Sequence, residues 1–479
     1  MTAETDIEGG NSFTTLLAVT AIGAYLLVIL GATNAVSEAA STCGTWPACE
    51  GALGALEEPQ LAIAIGHRIA ALLVGGLVLA TTVLAVRRES GRRVRAALLL
   101  ALALYPVQIG LGAIAATSGG ATGILGVFHL GLGLTIFASV LAALAWSLDA
   151  RTASAEDREP MDDPAPIEGE AEPRDIPAGG VARLKLVVLA YFRMTKPRLM
   201  WLLCLVAAAG MALAAGPAIS TRTFLLTMLG GVLAIGASGT FNNVLERDVD
   251  QQMNRTADRP LAVDLIPVRN AIAFGLVLAL ASLGAFLAIN RLAAVLGLVA
   301  IAYYSVIYTV LLKPNTVQNT VIGGGAGALP ALIGWAAVTN EIGIPALALA
   351  GVIFLWTPAH FYNLALAYKE DYARGGFPML PVVRGEATAR RHVLWYLGAT
   401  LAAAAILGTV SSLGPLFALT SVVAGGVFLW AAIRLHQEQT ESAALRSFHA
   451  SNAYLGLVLV AIVVDALLLD AAVLDAIGL

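Results

Sequence analysis

The chain is written in long apolar runs separated by short polar stretches. Four runs come first, at 13–34, 60–86, 96–117 and 122–147. Nine more follow, at 198–216, 223–245, 268–288, 291–312, 319–338, 344–367, 393–412, 415–434 and 450–471. Each is close to the length of about 20 residues that a helix needs to cross a hydrocarbon core of about 30 Å. Their Ala-, Leu- and Gly-rich wording suits helices, because a spanning segment must satisfy its backbone internally. The pattern predicts an all-α, polytopic helical membrane protein with about 13 transmembrane helices, four plus nine.

Composition agrees, at 58% hydrophobic and 13% charged residues with a positive mean hydropathy. The net charge of −4 and the lack of a basic stripe argue against nucleic acid as a partner. Met1 to Asn11 is acidic and has no positive n-region, so the first run reads as a retained helix. Between the two groups of runs the wording changes. Glu156 to Asp175 is Pro-rich and acidic, with Asp162, Asp163, Glu168, Glu170 and Glu172, and reads as a flexible linker. Three parts follow: a four-helix membrane domain at 1–148, a linker at 149–189 and a nine-helix domain at 190–479.

Basic residues in short loops set the orientation. Arg87, Arg88, Arg92, Arg93 and Arg95 place the second loop in the cytoplasm, and with it the linker and Arg193 to Arg198. Polar stretches 242–260 and 368–392 then face the cytoplasm together, the latter carrying Lys369, Arg374, Arg384, Arg390 and Arg391. No transit peptide is visible, so a prokaryotic plasma membrane is expected.

The first polar stretch carries the densest chemistry. Asn242, Glu246 and Asp250 are spaced i, i+4, i+8 and share one face of a helix that closes an apolar run. Three oxygen-bearing side chains there suit Mg²⁺, which completes its sphere with water and substrate phosphates. Arg255 and Arg259 follow, and guanidinium groups pair well with phosphate oxygens. The set fits a diphosphate leaving group; a solvated, charged helix end is the plainer alternative. In the second stretch His360 and Asn363 share a helix face beside Pro358, and Lys369, Glu370, Asp371 and Tyr372 follow. Glu370 or Asp371 suits a second metal, Lys369 a diphosphate, and His360 an acceptor or carbocation. A hydrogen-bonded histidine at a helix kink and a solvated loop are the alternatives.

Phe241 to Asp250 resembles the Asn-x-x-x-Asp-x-x-x-Asp signature of the UbiA-type intramembrane prenyltransferases, with Glu246 in place of the first Asp. Met253 to Pro260 is similar, more narrowly, to the protohaem IX farnesyltransferases, the haem O synthases. Thr195-Lys196-Pro197-Arg198, Tyr308-Thr309 with Lys313, and Gly327 to Ala336 agree with that group. The wider family's second motif is Asp-x-x-x-Asp. Here Tyr368 and Tyr372 hold those places and the acids stand at 370 and 371, a wording the haem farnesyltransferases share. The resemblance covers roughly 190–475 and implies a nine-helix UbiA-type bundle. It implies transfer of farnesyl from farnesyl diphosphate to a vinyl of protohaem IX (haem B), giving haem O in haem A biosynthesis for terminal oxidases. Asn242, Glu246 and Asp250 would then hold Mg²⁺, with Glu370 and Asp371 as further acids. Arg255, Arg259, Lys313 and Lys369 would meet the diphosphate, and His360, Asn363 and Tyr308 the acceptor or carbocation. A quinone precursor or lipid acceptor is the rival within enzymes, and a non-catalytic haem-binding assembly factor the rival outside them.

In the first four runs, His67 and His129 each lie near one end of a helix, towards the outer face. Two histidines at similar depth on alternate helices suit one haem iron, or simply pack there. Cys43 and Cys49 flank a short extracytoplasmic segment that a disulfide could close, whereas Cys204 sits in an apolar run as a packing residue. Cys43 to Cys49 with Trp46-Pro47, His67-Arg68, Gln108 to Gly112, and His129 resemble half of a haem A synthase over roughly 15–147. That family has Glu where this chain has Ala64, so the resemblance implies bound haem b more directly than oxidation chemistry. It also implies haem A synthase or terminal-oxidase assembly proteins as partners.

Overall fold

The computed structural model describes residues 2–36, 39, 43, 45–49, 58–121, 123–162, 180–411 and 413–468, and among them there is no strand. The first helices are α1 (Thr2–Val36), α2 (Pro59–Arg87), α3 (Arg92–Thr117) and α4 (Gly123–Thr152). Next come α5 (Gly180–Met194), α6 (Pro197–Ala215), α7 (Thr221–Leu245), α8 (Arg247–Asp250), α9 (Val268–Leu287) and α10 (Arg291–Ala302), which a π-helix, Tyr303–Leu312, continues. The chain goes on through α11 (Asn319–Thr339), α12 (Ile344–Ala367), α13 (Lys369–Arg374) and α14 (Leu380–Arg384). It closes with α15 (Glu386–Val410), α16 (Pro415–Glu438) and α17 (Glu441–Leu468).

Thirteen of these helices, counting α10 with its π continuation, are long and apolar enough to cross a membrane among the described residues. The four-plus-nine pattern is therefore borne out. The structure adds what hydropathy does not mark. Helices α15 and α17 start before their apolar runs, at Glu386 and Glu441, because their polar first turns are helical as well. Helix α5 is amphipathic and carries no acid. Ala190 and Met194 are buried, while Val181, Leu184, Val188 and Phe192 are exposed, as suits a helix lying on a bilayer surface. The linker is shorter than 149–189, since α4 runs to Thr152 and α5 begins at Gly180. Asp163, Glu168, Glu170 and Glu172 lie outside the described residues.

Local signals explain the ends. The Ser220 hydroxyl caps α7 by accepting the Thr223 N–H (3.1 Å), and Asn290 caps α10 by accepting the Ala293 N–H (2.8 Å). Helices α2, α6 and α16 open on a proline, whose missing N–H is an orphan there in any case. Interior packing relies on small residues, as expected where lipid offers no hydrophobic drive between helices. A Cβ on Gly334 of α11 would sit 2.0 Å from the Ala207 carbonyl oxygen of α6. One on Gly210 would sit 2.4 Å from that of Ala331, so the two backbones touch in both directions. The Gly327 to Ala336 stretch thus has a packing role.

Contacts gather the chain into two units: Met1–Ser154 with Arg390–Ala461, and Ala155–Ala389 with the residues from Ile462. This grouping differs from the boundaries drawn on the sequence, because most of α15 to α17 packs with α1 to α4. In the first unit the Tyr25 hydroxyl meets the Ser421 hydroxyl at 2.7 Å, Arg391 pairs with Asp149 at 3.1 Å, and Gln439 donates to the Thr152 carbonyl.

Candidate active site

Asn242 lies in the last turn of α7, and Glu246 then leaves helical geometry (φ −99°, ψ 5°) before α8. The expected single helix is therefore interrupted. Its register survives, since the Glu246 N–H donates to the Asn242 carbonyl (2.9 Å) and the Asp250 N–H to that of Glu246 (2.8 Å). Asn242, Glu246 and Asp250 are all buried.

Each of the three meets a cation. Lys196 donates to Asn242 Oδ1. Lys313 Nζ lies 2.6 Å from Glu246 Oε1, and Arg259 Nη1 lies 2.9 and 2.7 Å from the two oxygens of Asp250. Arg259 also reaches Glu246 Oε2 at 3.7 Å. The cations come from three different segments. Lys196 stands between α5 and α6 with φ +55°, a left-handed conformation costing about 1–2 kcal/mol for a residue with a Cβ. Arg259 belongs to the loop after α8. Lys313 follows the π-helix, where the Lys313 N–H bonds the Tyr308 carbonyl (2.8 Å) and the Thr309 hydroxyl bonds that of Tyr304 (2.9 Å). π-Helical turns are rare and gather at functional sites. This one brings Thr309 to the Asn242 amide (3.1 Å), Tyr304 to Lys196 (3.1 Å) and Lys313 to Glu246.

Burial and pairing compete in these groups. Burial alone would raise Glu246, but the ammonium groups of Lys313 and Lys196 hold it below the usual carboxylate range. Asp250 is pushed up, burial outweighing Arg259. Burial lowers Lys313 against the pull of Glu246. Desolvation of its ammonium, reinforced by the charge of Arg259, takes Lys196 down to about 7, although its stem is partly exposed.

The second polar stretch is tied to the first through Asp371. Its carboxylate accepts the backbone N–H groups of Asn254 (3.1 Å) and Arg255 (3.0 Å) and pairs with Arg374 (2.6 Å). These bonds hold Asp371 below its ordinary value against the opposing effect of burial. The Arg255 guanidinium lies over the Tyr368 and Tyr372 rings, 5.3 and 5.6 Å from their centroids, and the Lys313 ammonium lies 4.2 Å from that of Phe377. A dense set of cations, held by carboxylates and aromatic faces, surrounds Asn242, Glu246 and Asp250.

A second polar set lies in the other unit. His67 and His129 each carry a buried Nδ1 without a hydrogen-bond partner, and so does Oε1 of Gln108. Gln108 Nε2 approaches His129 Nε2 at 3.4 Å. Gly31 and Gly112 face the two imidazoles, where a Cβ would come within 3.3 Å of Cε1. Cys43 and Cys49 are joined by a disulfide, and Arg68 donates to the carbonyls of Cys43, Thr45, Pro47 and Ala48.

The family model described as UbiA prenyltransferase matches residues 202–457, more than half of the chain. The chain belongs to the UbiA prenyltransferase family. Curated relatives of this prenyltransferase match along nearly their full length. A protoheme IX farnesyltransferase of Haloarcula marismortui is 60% identical over 95% of this chain and 98% of its own. One of Halobacterium salinarum is 58% identical over the same shares. A more distant one, of Roseiflexus castenholzii, is 36% identical over 94% of this chain and 83% of its own. Among solved structures, a digeranylgeranylglyceryl phosphate synthase is 16% identical, covering 58% of this chain and 98% of its own, with a TM-score of 0.49. A UbiA homologue from Archaeoglobus fulgidus bound to GPP and Mg²⁺ is 18% identical, covering 57% and 99%, with a TM-score of 0.42.

The residues singled out in the prenyltransferase's sequence are brought together unevenly. Asn242, Glu246, Asp250, Arg259 and Lys313 form one connected group, whereas Arg255 is held separately, its backbone N–H on Asp371 and its guanidinium over Tyr368 and Tyr372. Tyr308 packs on Tyr304, ring centroids 5.6 Å apart. His360 is buried and stacks on Trp356 at 4.3 Å, and the Asn363 amide bonds the Ala359 carbonyl (2.7 Å) while its Oδ1 is buried without a partner. Glu370 stays exposed, 3.8 Å from Arg374, and Lys369 pairs with Glu386. Among the described residues, neither is hydrogen-bonded or ion-paired to the acidic face. Lys196, Tyr304 and Thr309 complete the group without being marked as site residues by the sequence. The available signal was a lysine placed directly before the proline that opens a span.

Proposed function

We propose that the chain transfers a farnesyl group from farnesyl diphosphate to a vinyl of protohaem IX, giving haem O for haem A biosynthesis. The observation that carries the reading is the buried Asn242–Glu246–Asp250 face with a cation on each member, in a chain whose full-length relatives bear that enzyme's name. The oxygen donors suit Mg²⁺. Among the described residues no three His, Cys, Asp or Glu side chains converge, so an ion would draw on Asn242, the two acids and the substrate's own phosphates. Bound there, Mg²⁺ would supply charge to the departing diphosphate.

The chain's own groups do the rest. Lys313, Arg255 and Arg259 stabilise the oxygens that gain charge as the carbon–oxygen bond breaks. Tyr304, Tyr308 and His360 offer aromatic faces to the allylic cation. Breaking that carbon–oxygen bond releases diphosphate and leaves the cation, the terminal vinyl carbon bonds to it, and water adds to the adjacent carbon and loses a proton. Glu370, exposed and near Arg374, and Lys369, half-buried and paired with Glu386, serve the loop rather than the reacting atoms. The prenyltransferase part is 190–479. The arginines of the loop between α2 and α3 support a plasma-membrane orientation with both polar loops cytoplasmic.

The first four helices are proposed to hold haem b through His67 and His129. Two buried imidazole nitrogens without partners fit iron ligands, and handover towards haem A synthase or oxidase assembly proteins belongs to the same proposal. The test is incubation of purified protein with haem B, farnesyl diphosphate and Mg²⁺, with the product identified by mass. Haem O is expected, and Asp250→Ala is expected to lower its formation by at least about a hundredfold, the scale of lost charge stabilisation. Prenylation of a quinone precursor instead of haem would overturn the reading.

A further inference from the structure

Each oxygen donor of the acidic face already has a positive partner. Lys196 is on Asn242, Lys313 on Glu246 and Arg259 on Asp250, one cation for each member and each from a different segment. We propose that these three cations stand in for the metal while the site is empty of substrate, so that metal and diphosphate bind only weakly alone and strongly together. The proposal rests on the reading of Asn242, Glu246 and Asp250 as the metal-binding face.

Charge makes the case. With all three cations protonated, two carboxylates face three cations, a formal excess of one positive charge. A divalent ion arriving alone raises that excess to three and must also displace Lys313 from a carboxylate with which it is buried. An ammonium left buried without its anion is strongly unfavourable. A prenyl diphosphate carries about three negative charges near neutral pH and offers several acceptor oxygens. Arriving together, it takes over Lys196, Lys313 and Arg259 while the ion takes over Asn242, Glu246 and Asp250, and the local charge returns to near zero. The cations thus change partners rather than lose them. Because binding free energies are linked, the metal must raise diphosphate affinity by the same factor as diphosphate raises that of the metal.

The experiment titrates Mn²⁺ into the full-length protein in detergent and counts free Mn²⁺ by electron paramagnetic resonance. One series has no added ligand; the other contains a non-ionising farnesyl thiodiphosphate, corrected against a protein-free control. In the unaltered protein the analogue is expected to tighten Mn²⁺ binding by about tenfold or more, within the usual range of coupling. Lys313→Met is expected to bind Mn²⁺ alone about tenfold more tightly and to lose most of the coupling. Lys196→Met, which leaves only a neutral amide behind, is expected to shift the same way and serves if Lys313→Met fails to fold. Equal Mn²⁺ affinity with and without the analogue, or no tightening in either variant, would overturn the proposal while leaving the metal face intact. Binding unchanged in Asp250→Asn in both series would instead remove the metal face itself.

Discussion

Glu370 and Asp371 are neighbours with opposite surroundings. Glu370 points to solvent with a loose partner in Arg374, whereas Asp371 accepts two backbone N–H groups from the Asn254–Arg255 turn and a guanidinium. A carboxylate so placed fixes where Arg255 stands without touching substrate. Glu370→Gln is expected to stay within about twofold of the unaltered rate, as surface changes away from a network usually do. Asp371→Ala leaves the two N–H groups and Arg374 without their acceptor, a loss of about 1–3 kcal/mol for each buried group. Its rate of haem O formation, followed by chromatography, should fall at least about tenfold. Equal effects of the two substitutions would remove the distinction. This was half legible in the sequence: the acidic pair stands out, but which member turns inward depends on a turn 116 residues away.

At the scale of elements, hydropathy marked the spans and local spacing marked the acidic face, because both are written within one or two helical turns. The π-helix had no such mark. It is a one-residue change in hydrogen-bond register inside an apolar run, and Tyr303 to Leu312 carries no composition that separates it from an α-helix. The cations opposite the acidic face were equally hidden, since Lys196 is 46 residues and Lys313 is 67 residues from its partner. Glycine positions do lend themselves to a test. Gly334→Ala drives a methyl into the Ala207 carbonyl and must part α6 from α11, whereas Gly351→Ala on α12 has nothing within 4 Å. Overpacking of this kind costs about 1–3 kcal/mol or more. Thermal unfolding in detergent should show Gly334→Ala clearly destabilised and Gly351→Ala unchanged or slightly more stable.

For the whole molecule, the number of spans was legible but their grouping was not. A helix that is apolar all round does not announce which face meets lipid and which meets protein, so the sequence did not mark that α16 packs on α1, where Tyr25 meets Ser421, or that α15 meets α4 through Arg391 and Asp149. The same holds for chemistry. Two sets of unusual polar side chains occupy one chain, the acidic face with its cations and the His67–His129 pair, and they share no residue. Buried imidazole nitrogens without partners are unfavourable in an apolar surrounding unless a ligand takes them. On the proposal that this pair holds haem b, the purified protein should show haem b absorption, and His67→Ala with His129→Ala should abolish it. Farnesyl transfer to haem B supplied in detergent should stay within about threefold, as sites with no common partner act independently. Retained haem absorption would take the iron away from this pair, and a collapse of transfer together with the absorption would show that the two sets do not act independently.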